Sequence, residues 1–271
     1  MKSKNVKHIS QEMTSNININ GGKIYLFNKR LFDIVSSSLF LLLFGWLILI
    51  LLAIKWAEDA FAKGYKLDIK PATNKTKTKY KQYSKDGTCY EVKIVPNNEK
   101  IKDKTVYGPI YSSTRVGKDG KIFKFYKIRT MCKGAEKMKE QLLAYDINEA
   151  DGPAFKLKYD PRISRFGKFL RKTSLDELPQ IWNILKGDIS VIGPRSPLIQ
   201  EVEEYNDFQK HRLDVKGGLV CTWQISKNRH QLSFDDWVEL DIDYIEKRRF
   251  SLDMKILFKA MWFVLTDRTG E

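Results

Sequence analysis

Cysteine and histidine are scarce in this chain, which contains three of each among 271 residues. No two cysteines form a C-x-x-C pair, so neither a disulfide framework nor a zinc site is indicated. The few histidines also argue against a metal site or a catalytic triad built on imidazole. No internal repeat or strongly biased tract is visible. The cysteine usage therefore fits a reducing, cytoplasmic location for the soluble part of the chain.

Acidic residues are also few compared with basic ones, at 33 against 48, which leaves a net charge of +15. Such an excess indicates anionic partners, and nucleic acid, an anionic membrane surface and phosphorylated substrates all qualify. The length permits one domain with a sizeable core and room for an appendage. Composition alone does not choose among these partners.

One long apolar run, residues 34–54, lies near the amino terminus and contains no charged residue. A helix needs about 20 such residues to span a bilayer. Basic residues precede and follow the run, so the positive-inside rule places neither flank outside without cost. A helix that enters the inner leaflet and returns satisfies both flanks, and a spanning helix is the alternative.

A second informative segment contains an acidic pair, Asp176 and Glu177, followed closely by Pro179. Proline is tolerated only in the first turn of a helix, so we predict a helix that begins near Asp176 and ends at a cap on Gly187. Its buried face is predicted to consist of Leu178, Ile181, Trp182 and Leu185. One interpretation of the acidic pair is a capping box, in which Ser174 and Glu177 satisfy the first helical turn and do nothing else.

Basic residues surround this pair on both sides. Upstream come Arg162, Arg165, Lys168, Arg171 and Lys172, and downstream comes Arg195. A polyanion approaches an anionic nucleophile only after its phosphate charge has been neutralised, and flanking guanidinium and ammonium groups provide that neutralisation. The arrangement therefore indicates phosphoryl transfer.

The string DPRISRFGKFLRKTSLDELPQIWNILKGDISVIGPR at residues 160–195 resembles the core of the bacterial sugar transferases. These are monotopic polyprenyl-phosphate phosphoglycosyl transferases, which begin exopolysaccharide and capsule assembly. The likeness continues from Gly117 to Arg268, with a second block at residues 28–55, and covers roughly two thirds of the chain. The chain departs from the family where Gly45-Trp46 replaces an expected Ser-Pro helix break, and residues 56–106 match no family segment.

The resemblance implies an α+β fold, in which a membrane-inserted amino-terminal helix, re-entrant and monotopic, precedes a mostly helical cytoplasmic catalytic domain with small β-hairpins. We accordingly divide the chain into a polar tail at 1–26, the membrane-inserted helix at 27–55, an insertion with a β-hairpin at 56–106, and the catalytic domain at 107–271. A further hairpin is predicted around Asp119-Gly120. The expected location is the inner, cytoplasmic membrane, with the catalytic domain facing the cytoplasm.

The resemblance also implies transfer of a sugar 1-phosphate from a nucleoside diphosphate sugar, most often a UDP-sugar, to undecaprenyl phosphate, with release of UMP. Asp176 is expected to attack phosphorus and form a covalent aspartyl intermediate. Glu177 is expected to bind Mg²⁺, with proton handling as the alternative, while Asp160 either assists at the metal site or only orders an Asp-Pro turn. Residues expected to bind phosphate or substrate are Lys127, Arg129, Arg171, Arg195 and Gln224.

Two other interpretations stay open. A membrane-tethered basic module that binds nucleic acid or anionic lipid does not explain an acidic pair set among arginines, so we expect no nucleic-acid partner. An inactive relative that serves as an assembly scaffold is favoured by changes in family motifs, such as Lys227-Asn228 in place of Gly-Arg. Neither the identity of the sugar nor the formation of a homodimer follows from the sequence.

Overall fold

The structure is a computed structural model, and it describes residues 22–61, 64–72, 81–84, 86, 88–97, 108–132, 134–145, 147, 157, 160–226 and 232–266. These residues fall into two compact units. The first unit comprises Ser112–Lys127, the described residues before Ile48, and those from Leu178 onward, while the second comprises Ile48–Tyr111 and Ile128–Glu177. Both units contain helices and strands, which agrees with the predicted α+β class. The predicted tail lies mostly outside the described residues.

Helix α1, Lys23–Phe61, is the longest element in the described part of the chain, with 39 residues. It is also the one described helix that is long and apolar enough to cross a membrane. At 1.5 Å per residue it is about 58 Å long. The helix extends beyond the predicted residues 27–55 at both ends and continues through Gly45 and Trp46 without interruption. Where the family is expected to break this helix with a Ser-Pro pair, this chain has Gly45-Trp46 and a continuous helix.

The insertion forms an antiparallel sheet in the second unit, with strand order β1-β3-β2. Its strands are β1, Gly64–Pro71, β2, Lys81–Tyr83, and β3, Cys89–Asn97. The pairing of β2 with β3 confirms the predicted hairpin as far as its residues are described, whereas the sequence did not reveal β1. The sheet packs on α2, Ala135–Ala144, through a buried cluster of Leu67, Val92, Met138, Leu142, Ile147 and Leu157. The insertion thus has a core of its own with α2.

A second hairpin joins β4, Ile110–Val116, to β5, Ile122–Ile128. The chain turns between them through a 3₁₀ segment at Lys118–Gly120, where Asp119 has φ 55° and Gly120 has φ 73°. Glycine, and aspartate to a lesser degree, adopts this left-handed region at low cost. The predicted turn at Asp119-Gly120 is confirmed.

The remaining elements follow in the second unit and then in the first. They are α3, Arg165–Lys172; α4, Gln180–Lys186; β6, Ser190–Ile192; α5, Ile199–Glu203; α6, Asp207–Lys210; β7, Gly218–Val220; α7, Phe234–Lys247; and α8, Phe250–Thr266. Strand β6 pairs with β7 in parallel. Between α5 and α6 the Asn206 side chain accepts from the Gln209 N–H at 2.9 Å and starts a new helix there.

Two buried clusters of the first unit hold the elements next to the acidic pair. Phe123, Phe125, Ile181, Ile184 and Ile189 pack with Phe40 and Leu41 of α1. Ile192, Val215, Val238, Ile242, Tyr244, Ile245 and Ile256 join β6 to α7 and α8. In the segment that follows the acidic pair, α4 is therefore held against α1 by the first cluster, and β6 is held against α7 and α8 by the second.

Candidate active site

The acidic pair lies in a 3₁₀ turn at Leu175–Glu177, and α4 begins only at Gln180. The predicted helix start near Asp176 is therefore wrong. Ser174, between α3 and this turn, has φ 55°, a left-handed conformation, while Leu178 and Pro179 separate the acidic residues from α4. The predicted end is confirmed, because Gly187 has φ 85° and its N–H bonds to the carbonyl of Asn183 at 3.0 Å.

The buried face of α4 also differs from the prediction. Trp182 is 57% exposed, whereas Asn183 and Ile184 are fully buried. The Asn183 side chain donates to the Lys124 carbonyl at 2.7 Å and accepts from the Tyr126 N–H at 3.2 Å, so its polar atoms are satisfied by β5. A polar residue with partners in a neighbouring strand thus replaces the tryptophan at the interface.

Asp176 is buried, with 6% of its surface exposed, and Glu177 beside it is half-buried. The small opening at Asp176 limits how a large substrate can reach this carboxylate. A carboxylate in such a setting is poorly hydrated, so less water has to be removed when it meets an electrophile.

Helix α3 brings basic residues to the start of this turn. Its N-cap is Ser164, whose Oγ accepts from the Gly167 N–H at 2.9 Å. A Cβ on Gly167 would lie 1.9 Å from the Thr130 carbonyl oxygen, so the helix backbone passes directly over that residue. At the other end of α3, the exposed Arg171 donates from Nε to Thr130 Oγ1 at 3.0 Å. Thr130 therefore sets the position of α3 and the orientation of Arg171.

The end of α1 also reaches α3, through a residue that the sequence analysis did not identify. Glu58 accepts from Ser164 Oγ at 2.9 Å and from the Phe166 N–H at 3.3 Å. The Lys55 ammonium, which is fully buried, lies 2.7 Å from Glu58 and 2.9 Å from Asp59. The one available signal was the cluster of three charges directly after the apolar run.

Asp160 forms a buried ion pair with Arg162. Its two oxygens accept from Arg162 Nε at 2.9 Å and from Nη2 at 2.7 Å, and one also accepts from the Arg162 N–H at 3.0 Å. Both side chains are almost fully buried. The guanidinium occupies the carboxylate, so the geometry fits the turn-ordering alternative and does not fit a metal ligand.

Two of the predicted phosphate-binding residues lie at the end of β5. Lys127 is half-buried in the strand, and Arg129 follows one residue after β5 ends at Ile128, with its N–H bonded to the Pro109 carbonyl at 2.8 Å. Arg129 donates to the Gly108 carbonyl at 2.9 Å and lies 5.7 Å from the Tyr111 ring centroid. These contacts orient Arg129 through the residues that begin β4.

The other two predicted binding residues have partners within the first unit. Arg195 pairs with the buried carboxylate of Glu201, with Nη1 and Oε2 3.0 Å apart. Burial alone would raise the pKa of Glu201, but the Arg195 guanidinium lowers that pKa below its usual value. The Gln224 side-chain oxygen accepts from the Cys221 N–H at 2.8 Å and caps the 3₁₀ turn Thr222–Ile225. Lys227-Asn228 lies outside the described residues.

The described residues contain no cluster of three His, Cys, Asp or Glu side chains suited to a metal ion. Mg²⁺ does not require one, because it is commonly held by one or two carboxylates together with substrate phosphates and water. Glu177 fits such a role as a single half-buried carboxylate next to Asp176. Asp160 does not, because its oxygens are bound by Arg162.

Comparison with known proteins gives the context of this segment. Residues 99–267 match the family model described as bacterial sugar transferase. Galactosyl transferase CpsE of Streptococcus agalactiae is 48% identical over 159 residues, which cover 58% of this chain and 35% of the relative. Undecaprenyl-phosphate galactose phosphotransferase of Salmonella typhimurium is 44% identical over 161 residues, 58% of this chain and 34% of the relative. Exopolysaccharide production protein ExoY of Rhizobium meliloti is 36% identical over 160 residues, 58% of this chain and 70% of the relative. The chain thus spans about a third of the length of the first two.

Proposed function

The chain belongs to the bacterial sugar transferase family, and on that premise we propose that it transfers a sugar 1-phosphate from a UDP-sugar to undecaprenyl phosphate and releases UMP. The Salmonella relative is named for galactose phosphate transfer with undecaprenyl phosphate. The observation that carries the proposal is the turn Leu175–Glu177, in which a poorly hydrated carboxylate follows a helix that ends in basic residues. Phosphoryl transfer with a carboxylate nucleophile needs both the carboxylate and positive charge close to it.

The reaction has two steps. In the first, an oxygen of Asp176 attacks the phosphorus that bears the sugar, and the bond from that phosphorus to the bridging oxygen breaks. UMP leaves with the electron pair of that bond, and the sugar phosphate stays on Asp176 as an acyl phosphate. In the second, an oxygen of undecaprenyl phosphate attacks the same phosphorus and releases the carboxylate. Two separate displacements replace one difficult transfer between large anions.

Positive charge near the turn lowers the barrier to both steps. Arg171 is exposed at the end of α3, and its Nε bond to Thr130 restrains a guanidinium of the kind that binds phosphate. Glu177 would hold Mg²⁺, which when bound supplies charge neutralisation on the diphosphate. Proton handling is the alternative role for Glu177. Lys127, Arg129, Arg195 and Gln224 remain predicted contributors to substrate binding.

The contacts of α1 support a monotopic arrangement. In the first unit, Arg30 donates to the carbonyls of Ile184 and Leu185 at 2.6 and 2.7 Å. In the second unit, Glu58 accepts from Ser164. No described helix after α1 is long and apolar enough to cross a membrane. Each end of α1 thus has contacts within its own unit, and we propose that α1 is embedded from the cytoplasmic side of the inner membrane.

The test is release of UMP by the purified full-length chain, with a panel of UDP-sugars and undecaprenyl phosphate. We expect one or a few UDP-sugars to yield UMP, and Asp176→Asn to abolish that release while membrane association is unchanged. Full activity of Asp176→Asn would eliminate the nucleophile assignment. Absence of UMP with every sugar, from folded wild-type protein, would contradict the proposed function.

A further inference from the structure

The carboxyl-terminal end of α1 carries three charges that are largely removed from water. Lys55 has no exposed surface, Asp59 is 4% exposed, and Glu58 retains contact with solvent. Charges in such surroundings are costly unless their partners are well placed. Lys55 Nζ lies within 3 Å of an oxygen of each acid, which satisfies the ammonium. The cluster is thus built to hold Glu58 in one orientation.

Glu58 completes the amino-terminal cap of α3. The first N–H groups of a helix have no partner within the helix, and a negative charge there is favourable. Ser164 Oγ accepts from the Gly167 N–H and donates to Glu58, while the second Glu58 oxygen accepts from the Phe166 N–H. An isolated helix of eight residues is unstable in water, so contacts from elsewhere decide where α3 lies.

The other end of α3 leads directly to the acidic pair. Thr173 Oγ1 donates back to the Phe169 carbonyl at 2.8 Å, and the chain then reverses at Ser174. Asp176 lies two residues beyond Ser174. No loose segment separates the helix from the turn, so a shift or rotation of α3 moves both Arg171 and Asp176.

We propose that Glu58, held by Lys55, is a positioning residue for the first step of the reaction. It acts through α3 on Asp176 and Arg171 and does not touch the substrate. This one ion cluster then connects the carboxyl-terminal end of α1 to the geometry of the nucleophile. Because this inference rests on the proposed function, its test must separate a misplaced nucleophile from an absent activity.

The experiment measures the first step alone, as single-turnover release of UMP from a UDP-sugar without lipid acceptor. Glu58→Gln keeps the size of the side chain but removes its charge and one acceptor. A displacement of about 1 Å costs up to about a hundredfold in rate, so we expect UMP release to be slowed by about tenfold to a hundredfold. The KM for the UDP-sugar should change by less than about twofold, because Glu58 does not touch the substrate and Arg171 is proposed to act mainly on the charge that develops during transfer.

A matched control is Asp253→Asn in the first unit. Asp253 is also a buried carboxylate that pairs with a lysine of α1, at 2.8 Å from Lys29, and it accepts from the Tyr244 hydroxyl at 2.7 Å. Its side-chain bonds in the described part of the chain are to Tyr25, Lys29 and Tyr244, all in the first unit, so this variant should lose stability with an unchanged rate of UMP release. If Glu58→Gln does not fold, Ser164→Ala interrupts the same cap and should show the same split between rate and KM.

Three outcomes are decisive. A wild-type rate in Glu58→Gln would overturn the positioning role, and so would equal losses of rate in Glu58→Gln and Asp253→Asn, which would mean a general loss of stability. Wild-type protein that releases no UMP from any UDP-sugar would refute the proposed function instead.

Discussion

Replacement of Gly167 by alanine tests whether α3 must lie where it does. The added Cβ would be 1.9 Å from the Thr130 carbonyl oxygen and 2.7 Å from its carbonyl carbon, whereas ordinary contact begins at 3.4 Å. Both obstacles are backbone atoms, which cannot rotate away as a side chain would. The helix therefore has to move by about 1.5 Å, the amount needed to reach ordinary contact.

That movement acts on stability and on rate in different ways. Overpacking costs about 1–3 kcal/mol, and the better helix propensity of alanine returns about 1 kcal/mol. We expect a modest net loss in the free energy of unfolding. The same movement strains the Arg171 bond to Thr130 and displaces the turn that follows α3. The rate of UMP release should fall by about a hundredfold, far more than the loss of stability would cause.

The assay is single-turnover UMP release, with thermal unfolding measured in parallel. Gly45→Ala is the matched control, because Gly45 also lies within a helix and a Cβ there would meet nothing within 4 Å. It should leave the rate unchanged and stabilise α1 slightly. If Gly167→Ala releases UMP as fast as the wild type, then the position of α3 does not govern the nucleophile, and the reasoning fails.

Three further predictions concern the ion pairs and the membrane. Arg195→Gln leaves the buried Glu201 carboxylate without its guanidinium, so the free energy of unfolding should fall by about 3 kcal/mol at neutral pH. The lowered pKa of Glu201 contributes stability that is fully present above the pKa of the unfolded chain and is lost as the pH falls through the pKa of the folded protein. Urea unfolding should therefore show a smaller difference in stability between wild type and variant near pH 4 than at neutral pH. An equal difference at both pH values would contradict this prediction. Asp160→Asn should destabilise the protein by about 3 kcal/mol, because it removes one partner of a buried ion pair. The Mg²⁺ concentration that gives half-maximal UMP release should stay constant. An increase in that concentration would show that Asp160 is a metal ligand after all. Cysteines introduced at Lys23 and Lys66 in a cysteine-free chain should both be labelled by an impermeant maleimide only from the cytoplasmic side, and labelling of either from outside would refute the monotopic arrangement.

Local signals in the sequence predicted those parts of the fold that local physics decides. Gly187 could be identified as a helix cap because few other residues adopt φ 85°, and Asp119-Gly120 as a turn for the same reason. The 3₁₀ turn at Leu175–Glu177 was missed because it follows Ser174, and serine rarely adopts the positive φ found there. The local preferences of serine do not predict this conformation, so the positive φ of Ser174 depends on the surrounding structure.

Contacts between distant residues account for most of what the sequence did not predict at the site. Glu58 and Ser164 are 106 positions apart, and nothing in either local pattern links them. Periodicity assigned Trp182 to the buried face of α4 and did not place the polar Asn183 there. In the structure Asn183 is buried, because it has hydrogen-bond partners in β5, and Trp182 is exposed. Resemblance identified Asp176 as the expected nucleophile without indicating that its side chain is buried.

The polar residues of α1 explain how a charged helix can lie at a lipid boundary. A charge that faces lipid is costly, so such residues are expected to turn toward protein. In the first unit, Asp33 accepts from Ser190 Oγ at 2.9 Å and from the Val191 N–H at 3.0 Å. In the second unit, Lys55 is buried by its acidic partners. The apolar side chains of α1 are correspondingly the exposed ones, with Leu42 at 81%. On the proposed arrangement the same helix anchors the protein in the membrane, and it supports β6 in the first unit and α3 in the second. A substitution on its polar side should therefore be tested first for a defect of the site and then for a defect of membrane binding.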